Sequence, residues 1–303
     1  MAGGPARRLG TLAELVFNAS TTLPRFIAWM LICYASLCLM MGAIFGANAW
    51  RGRGELFSVL FALWGRLGVF RFGAPGRRGI AGGLEMPFER SVSRTVFVLL
   101  LLVSISFDGV LSTPQWARFE RHTISFGDVH GQELLRSAGF IVLIALIALL
   151  YLLFAAFSAA VAAAGGLRHS HARTLSGLLP SLVPIAFGYL LAHYLQYVLI
   201  NGQLILPLLG SPGGPRTNLH LPYPFNDSYE VHAHFLPNGF YWYLDVLVIV
   251  AVHVLAVVLA HRRLAGASES EPRAGRAEYP WLIAMVAYTS ISLWLLGQPL
   301  TAE

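Results

Sequence analysis

The chain has 303 residues, 56% of them hydrophobic and 12% charged, with a mean hydropathy of +0.63. Soluble domains carry about 25% charged residues, so this composition excludes an ordinary soluble enzyme. The net charge of +6 comes from 21 basic residues, all arginine, against 15 acids. Those arginines cluster between apolar stretches, as in cytoplasmic loops of membrane proteins, and so do not indicate a nucleic-acid partner.

The expected class is all-α, a single polytopic transmembrane helical bundle with six spans and the lipid bilayer as its first partner. Residues 8–20 have the pattern of a short amphipathic helix. The first span is expected over 26–49, with Cys33 and Cys38 on different faces as buried small apolar residues. Residues 55–72 are apolar but short and carry Arg66, which predicts an interfacial or re-entrant helix. If that segment crosses, the count becomes seven.

The second span is expected over 95–113, followed by a polar loop over 115–133, and the third over 134–165. The fourth, 178–203, holds Pro180 and Pro184, which suggest a break, together with His193 and Gln196. The loop 204–238 is rich in Pro, Gly, Asn and His and is too long for a mere connector, so it is expected to fold over one mouth of the bundle. The fifth span, 240–261, begins with an aromatic interfacial belt from Phe240 to Tyr243, and the sixth covers 280–300. Arginines are richest in 50–94, 166–173 and 262–279. These segments are expected inside, and the C-terminus outside.

Ionisable groups in a bilayer are costly and need a partner or a task. At 1.5 Å per residue, His193 lies about 16 Å and His253 about 20 Å from the outer surface. Asp108 and Asp245 lie at roughly 8 Å on the same scale. Tyr189, His193, Gln196 or Tyr197, and Gln203 recur at three- and four-residue steps along one stripe of the fourth span. A divalent metal held by His193, His253 and Asp108 would activate water. The same two histidines would serve equally as axial ligands of a b-type haem. Either histidine read alone is as well explained by a bond to a backbone carbonyl or a tyrosine hydroxyl. In the outer loop, Asp227, Glu230, His232 and His234 read first as a polar loop with incidental histidines, the alternative being a second metal site or a lid contribution. His261, beside Arg262 and Arg263, is expected to face a helix C-terminus and lipid phosphates. Phosphate-binding loops, nucleotide fingerprints, GxSxG and HExxH are absent.

The segments 46–67, 107–116, 182–203, 242–264 and 285–299 resemble, in order and spacing, bacterial membrane proteins of the fenitrothion hydrolase-like family. The resemblance covers about 46–299 and takes in Asp108, His193, Tyr194, Gln203, His253 and Tyr288. It implies a bacterial inner-membrane protein that hydrolyses an organophosphorus ester. The candidate catalytic groups are Asp108 and Asp245, chosen by their depth, with Tyr194, which lies within the matched segments. The chain departs from the family's pattern at Asp245 and at His261-Arg262-Arg263. The rival reading is a non-catalytic, haem- or metal-binding redox subunit of a larger membrane complex, with loop 204–238 docking a second membrane subunit.

Overall fold

A backbone in hydrocarbon must satisfy its amides within its own segment, which favours helices. The computed structural model describes residues 24–68, 79, 82–86, 91–111, 113–124, 129–165, 171–213, 217–232, 236–266 and 271–297. It is 86% helix, and no strand occurs among the described residues. The helices are α1 (Pro24–Phe45), α2 (Ala47–Arg53), α3 (Leu56–Trp64), α4 (Gly82–Glu85), α5 (Val92–Leu111), α6 (Pro114–Ile124), α7 (Val129–Gly165), α8 (His171–Asn201), α9 (Ile205–Gly210), α10 (Asn238–Ala265) and α11 (Glu271–Gly297). The amphipathic segment expected over 8–20 lies outside the described residues.

Among the described residues four helical stretches are long and apolar enough to cross a membrane: Ile27–Phe45, Ile141–Ala164, Gly177–Gly210 and Gly239–Ala265. The other two expected spans fall on α5, whose apolar part is the shorter Val92–Ser104, and on α11. Helix α11 is about 40 Å long, but its first third carries Glu271, Arg273, Arg276 and Glu278. Both pack within the same bundle, α5 on α7 and α8, and α11 on α7 and α10.

Helix α8 is the centre of that bundle. It packs against α10, α5 and α7. Its Leu178, Leu179, Val183, Ile185, Ala186 and Tyr189 are buried, which takes in most of its circumference. The prolines at 180 and 184 do not break it, because the helix continues through both and they lie in the buried core. Neighbouring helices make such prolines tolerable in membranes. The α8–α10 contact is built on small residues. A Cβ on Gly188 would come within 2.6 Å of both methyls of Val252. Ala192, Ala256 and Ala260 are buried as well.

Several sequence expectations change. Cys33 is exposed and Cys38 half-buried, because α1 buries none of its apolar window in the bundle and turns those faces outward. The first span ends at Phe45, since Gly46 adopts φ 84°, a left-handed conformation suited to glycine. Part of the expected polar loop 115–133 is α6, with the Thr113 hydroxyl accepting from the Trp116 amide at 3.2 Å and Pro114 as first helical residue. At its far end α10 binds protein groups: Arg262 to Glu85 at 2.5 Å, and Arg263 to the carbonyls of Leu84 and Met86 at 2.7 and 3.0 Å. His261 Nδ1 meets the Glu278 carboxylate at 2.6 Å.

After Gly46 the chain turns back along α1. Glu55 caps α3 by accepting from the amides of Phe57 and Ser58 at 2.9 and 2.6 Å, and also accepts from the Tyr34 hydroxyl on α1. An aromatic chain then runs from Tyr34 through Phe57, Phe61 and Trp64 to Phe187 on α8. This elbow ties α1 to the bundle. Hydrogen bonds from Ser58, and next from Tyr34, pull the Glu55 carboxyl from 4.5 down to about 2. A depressed acid stabilises the fold above its unfolded value and loses that contribution as pH falls. Amide exchange at Phe57 and Ser58, corrected for intrinsic rate, is therefore expected to accelerate between pH 4.5 and about 2, and Glu55→Gln to flatten that dependence. The α8–α10 contact gives a second expectation. Gly188→Val must push Val252 aside, so thermal unfolding in detergent should show a loss of about 1–3 kcal/mol, with Gly188→Ala losing less.

Candidate functional site

Tyr241, Asp245, Ile249 and His253 stand four residues apart on α10, so each successive side chain is displaced by one turn and about 40°. Tyr241, Ile249 and His253 are buried, and Asp245 is half-buried with its Oδ1 shut off from solvent. The His253 Nδ1 donates to the Ile249 carbonyl at 2.7 Å, one turn back on its own helix. That bond puts the ring proton on Nδ1 and leaves the lone pair on Nε2, which is buried without a protein partner.

Three other helices close around this ring. From α8, Tyr189 sits edge-on to His253 with ring centroids 6.2 Å apart, and its hydroxyl is likewise buried without a partner. From α11, Tyr288 lies 6.5 Å from His253 and 5.7 Å from Tyr189. From α5, the Ser106 hydroxyl is hydrogen-bonded to that of Tyr288 at 3.0 Å. Ser292 holds the backbone there by donating to the Tyr288 carbonyl at 2.6 Å. The cluster thus offers a neutral imidazole as acceptor and tyrosine hydroxyls as donors, in surroundings of low dielectric.

The sequence-predicted residues fall around this cluster. Asp245 and His253 stand about 80° apart on α10, the first half-buried and the second buried. The α8 ring against His253 is Tyr189's, and His193 stands one turn further along α8, half-buried, its ring 4.8 Å from that of Tyr194. The polar stripe of α8 winds outward from there, for Gln196 and Tyr197 are exposed. Asp108 is helical in α5, two residues beyond Ser106, and its side chain lies outside the described residues. Among the described residues no three of His, Cys, Asp and Glu are grouped to hold a metal. That covers Asp227, Glu230 and His232, which are exposed, while His234 and His169 lie outside the described residues.

Two residues of the site were not singled out from the sequence. Ser106 looks like an ordinary small polar residue in an apolar run. Tyr241 reads as part of the interfacial belt, yet it is buried while Phe240, Trp242 and Tyr243 are exposed. The period of four from Asp245 and His253 back to Tyr241 was the available signal.

Just past the end of α8, described residues of the segment 204–238 bond back to Gln203. Its Oε1 accepts from the Tyr229 hydroxyl and the His232 amide, both at 3.0 Å. Its Nε2 donates to the carbonyls of Leu199 and His232 at 3.1 and 3.2 Å. At Gly210 the loop comes so close that a Cβ would overlap the Phe225 carbonyl, and the Leu219 amide donates to the Gly210 carbonyl at 2.8 Å. Loop residues are thereby anchored beside the end of α8 that leads to the site. Comparison with known proteins finds no matching family model, no similar curated protein and no solved structure that matches.

Proposed function

We propose that this chain is a multi-pass bacterial inner-membrane protein that crosses six times, with arginine-rich segments inside, and hydrolyses organophosphorus-type esters at an outward-facing His/Asp site. The observation that carries the reading is the His253 Nε2, a basic nitrogen held in one tautomer, buried and without a protein partner. In the proposed step a water oxygen bonds to phosphorus, the bond from phosphorus to the leaving oxygen breaks, and Nε2 takes the water's proton. The hydroxyls of Tyr189 and Tyr288 are the donors available to the phosphoryl oxygen. Asp245, about two turns outward along α10, is the acid through which that proton leaves. A divalent metal is left out of this reading, because among the described residues no three of His, Cys, Asp and Glu are grouped to hold one and Tyr189 takes the place beside His253.

The alternative, a subunit of a larger membrane complex, draws on α1, whose apolar window buries none of its residues in the bundle, with loop 204–238 as the docking surface. The haem form of that reading fits poorly. Tyr189 and Tyr288 pack on the His253 ring, and α8 approaches α10 too closely at Gly188 to admit a porphyrin between them.

The test uses the purified chain in lipid and a chromogenic aryl phosphotriester. His253→Ala is expected to lower kcat/KM by about 10²–10⁴-fold, and Asp245→Asn to lower it less, with melting temperatures followed alongside. A Soret band that disappears in His253→Ala, in a protein without esterase activity, would establish the redox reading instead.

A further inference from the structure

Among the described residues nine buried side-chain polar atoms have no hydrogen-bond partner, and three of them, Tyr241 Oη, Asp245 Oδ1 and His253 Nε2, lie on α10 at four- and eight-residue steps, in a sector of about 120°. A fourth, Tyr189 Oη, faces the last of these from α8. The remaining five are scattered over other elements: Trp50, Trp64, Ser158, Ser211 and Trp281. The α10 column holds both donors and acceptors, yet its members do not bond one another. Buried polar groups in proteins almost always have partners, and where protein supplies none, buried water does, with two to four bonds of its own.

We propose that this column is a water-lined proton path from the Tyr241 end of the bundle down to His253. The proposal deepens the reading of His253 as the acting base. Along the helix, Asp245 is about 6 Å beyond Tyr241, and His253 about 12 Å beyond Asp245. The longer interval exceeds one water. The six-span reading on which this proposal rests runs α8 and α10 antiparallel, and Gly188 lies against Val252 and Tyr189 against His253. That register brings His193 level with Val248 and Ile249, in the middle of the interval. A proton from outside water is taken by the Asp245 carboxylate. It passes through water at the level of His193 and arrives on His253 Nε2, forming an imidazolium that keeps its Nδ1–H bond to Ile249. The return reverses each transfer, and no other reactant is needed. The groups facing His253 are Tyr189 from α8 and Tyr288 from α11, the latter bonded to Ser106 of α5.

The path ends at His253. Beyond it Ala256, Leu259, Ala260 and Leu264 are buried and apolar, and Gly188 meets Val252 without room for water. The column therefore supplies and drains one base and does not conduct protons across the membrane.

Accessibility tests this independently of catalysis. In the full chain with Cys33→Ser and Cys38→Ser, in lipid nanodiscs, single cysteines replace Tyr241, Asp245, Ile249 and His253. Leu247→Cys on the exposed face and Ala256→Cys beyond the end serve as controls. A small cationic, water-soluble thiol reagent is expected to label the four column positions at least ~10-fold faster than either control, since thiol reactivity follows exposure to water. Labelling at 249 and 253 no faster than at 256 overturns the proposal. The unsubstituted chain moved into heavy water provides a second readout that needs no cysteine variant to fold. Its His253 ring N–H, assigned with His253→Gln, should deuterate within minutes, and retention for hours overturns the proposal. Fast labelling in a protein without esterase activity would leave the path standing and remove the hydrolase. Active enzyme with a dry column would do the reverse.

Discussion

The close approach of α8 and α10 is the constraint on which the site depends. In lipid, apolar side chains gain little by leaving their surroundings, so helices associate through fit and through polar contacts. Gly188 allows the fit by leaving room for both methyls of Val252. Once those two residues are opposed, the neighbouring pair is fixed, and Tyr189 faces His253. A rotation of α10 by one residue, about 100°, would present a valine to Tyr189 instead. Tyr288 and Ser106 then complete a ring of four helices, with α11 held on α7 and α10 and α5 on α7 and α8.

Much of the architecture was legible because hydrocarbon imposes simple rules. Apolar length indicated where helices lie, and the polar content of the α8 and α10 segments marked them as the interior pair. Asp245 and His253 fall within a quarter turn of each other because eight residues make about 2.2 turns, a purely local fact. The rotation and register of one helix against another are not local. Depth alone set His193 beside His253, whereas the glycine contact gives that place to Tyr189 and sets His193 a turn away. Burial of Tyr241 within an apparent interfacial belt is non-local in the same way. The cap before α6 was a different kind of miss. Thr113 followed by Pro114 is a local helix-start signal, masked by the polarity of the segment behind it.

His253 also shows why a structural and a functional reading of a buried histidine need not compete. The ring has two nitrogens. Nδ1 is committed to the Ile249 carbonyl, the bracing role a buried histidine often plays. The same bond fixes the tautomer and aims the free lone pair of Nε2 away from its own helix. Protonation at Nε2 would leave the Nδ1 bond in place, so the ring need not reorient between its two states. The bracing contact is thus the preorganising one.

The two ends of α10 sharpen that distinction. At the Arg262 end each charged group meets a protein partner: Arg262 with Glu85, Arg263 with two carbonyls, His261 with Glu278. Those contacts tie α4 and α11 to the helix and account for the polar residues there. Toward the other end Tyr241, Asp245 and His253 are no less polar and more buried, yet the protein offers their inner atoms nothing. Desolvating a polar atom without a partner is expensive, and three such atoms stand on this one helix. Satisfied polarity at one end and unsatisfied polarity along the rest thus divide the helix into a part braced by its own ion pairs and hydrogen bonds and a part whose inner polar atoms the protein leaves unpaired. The proposed water and substrate belong to the second part.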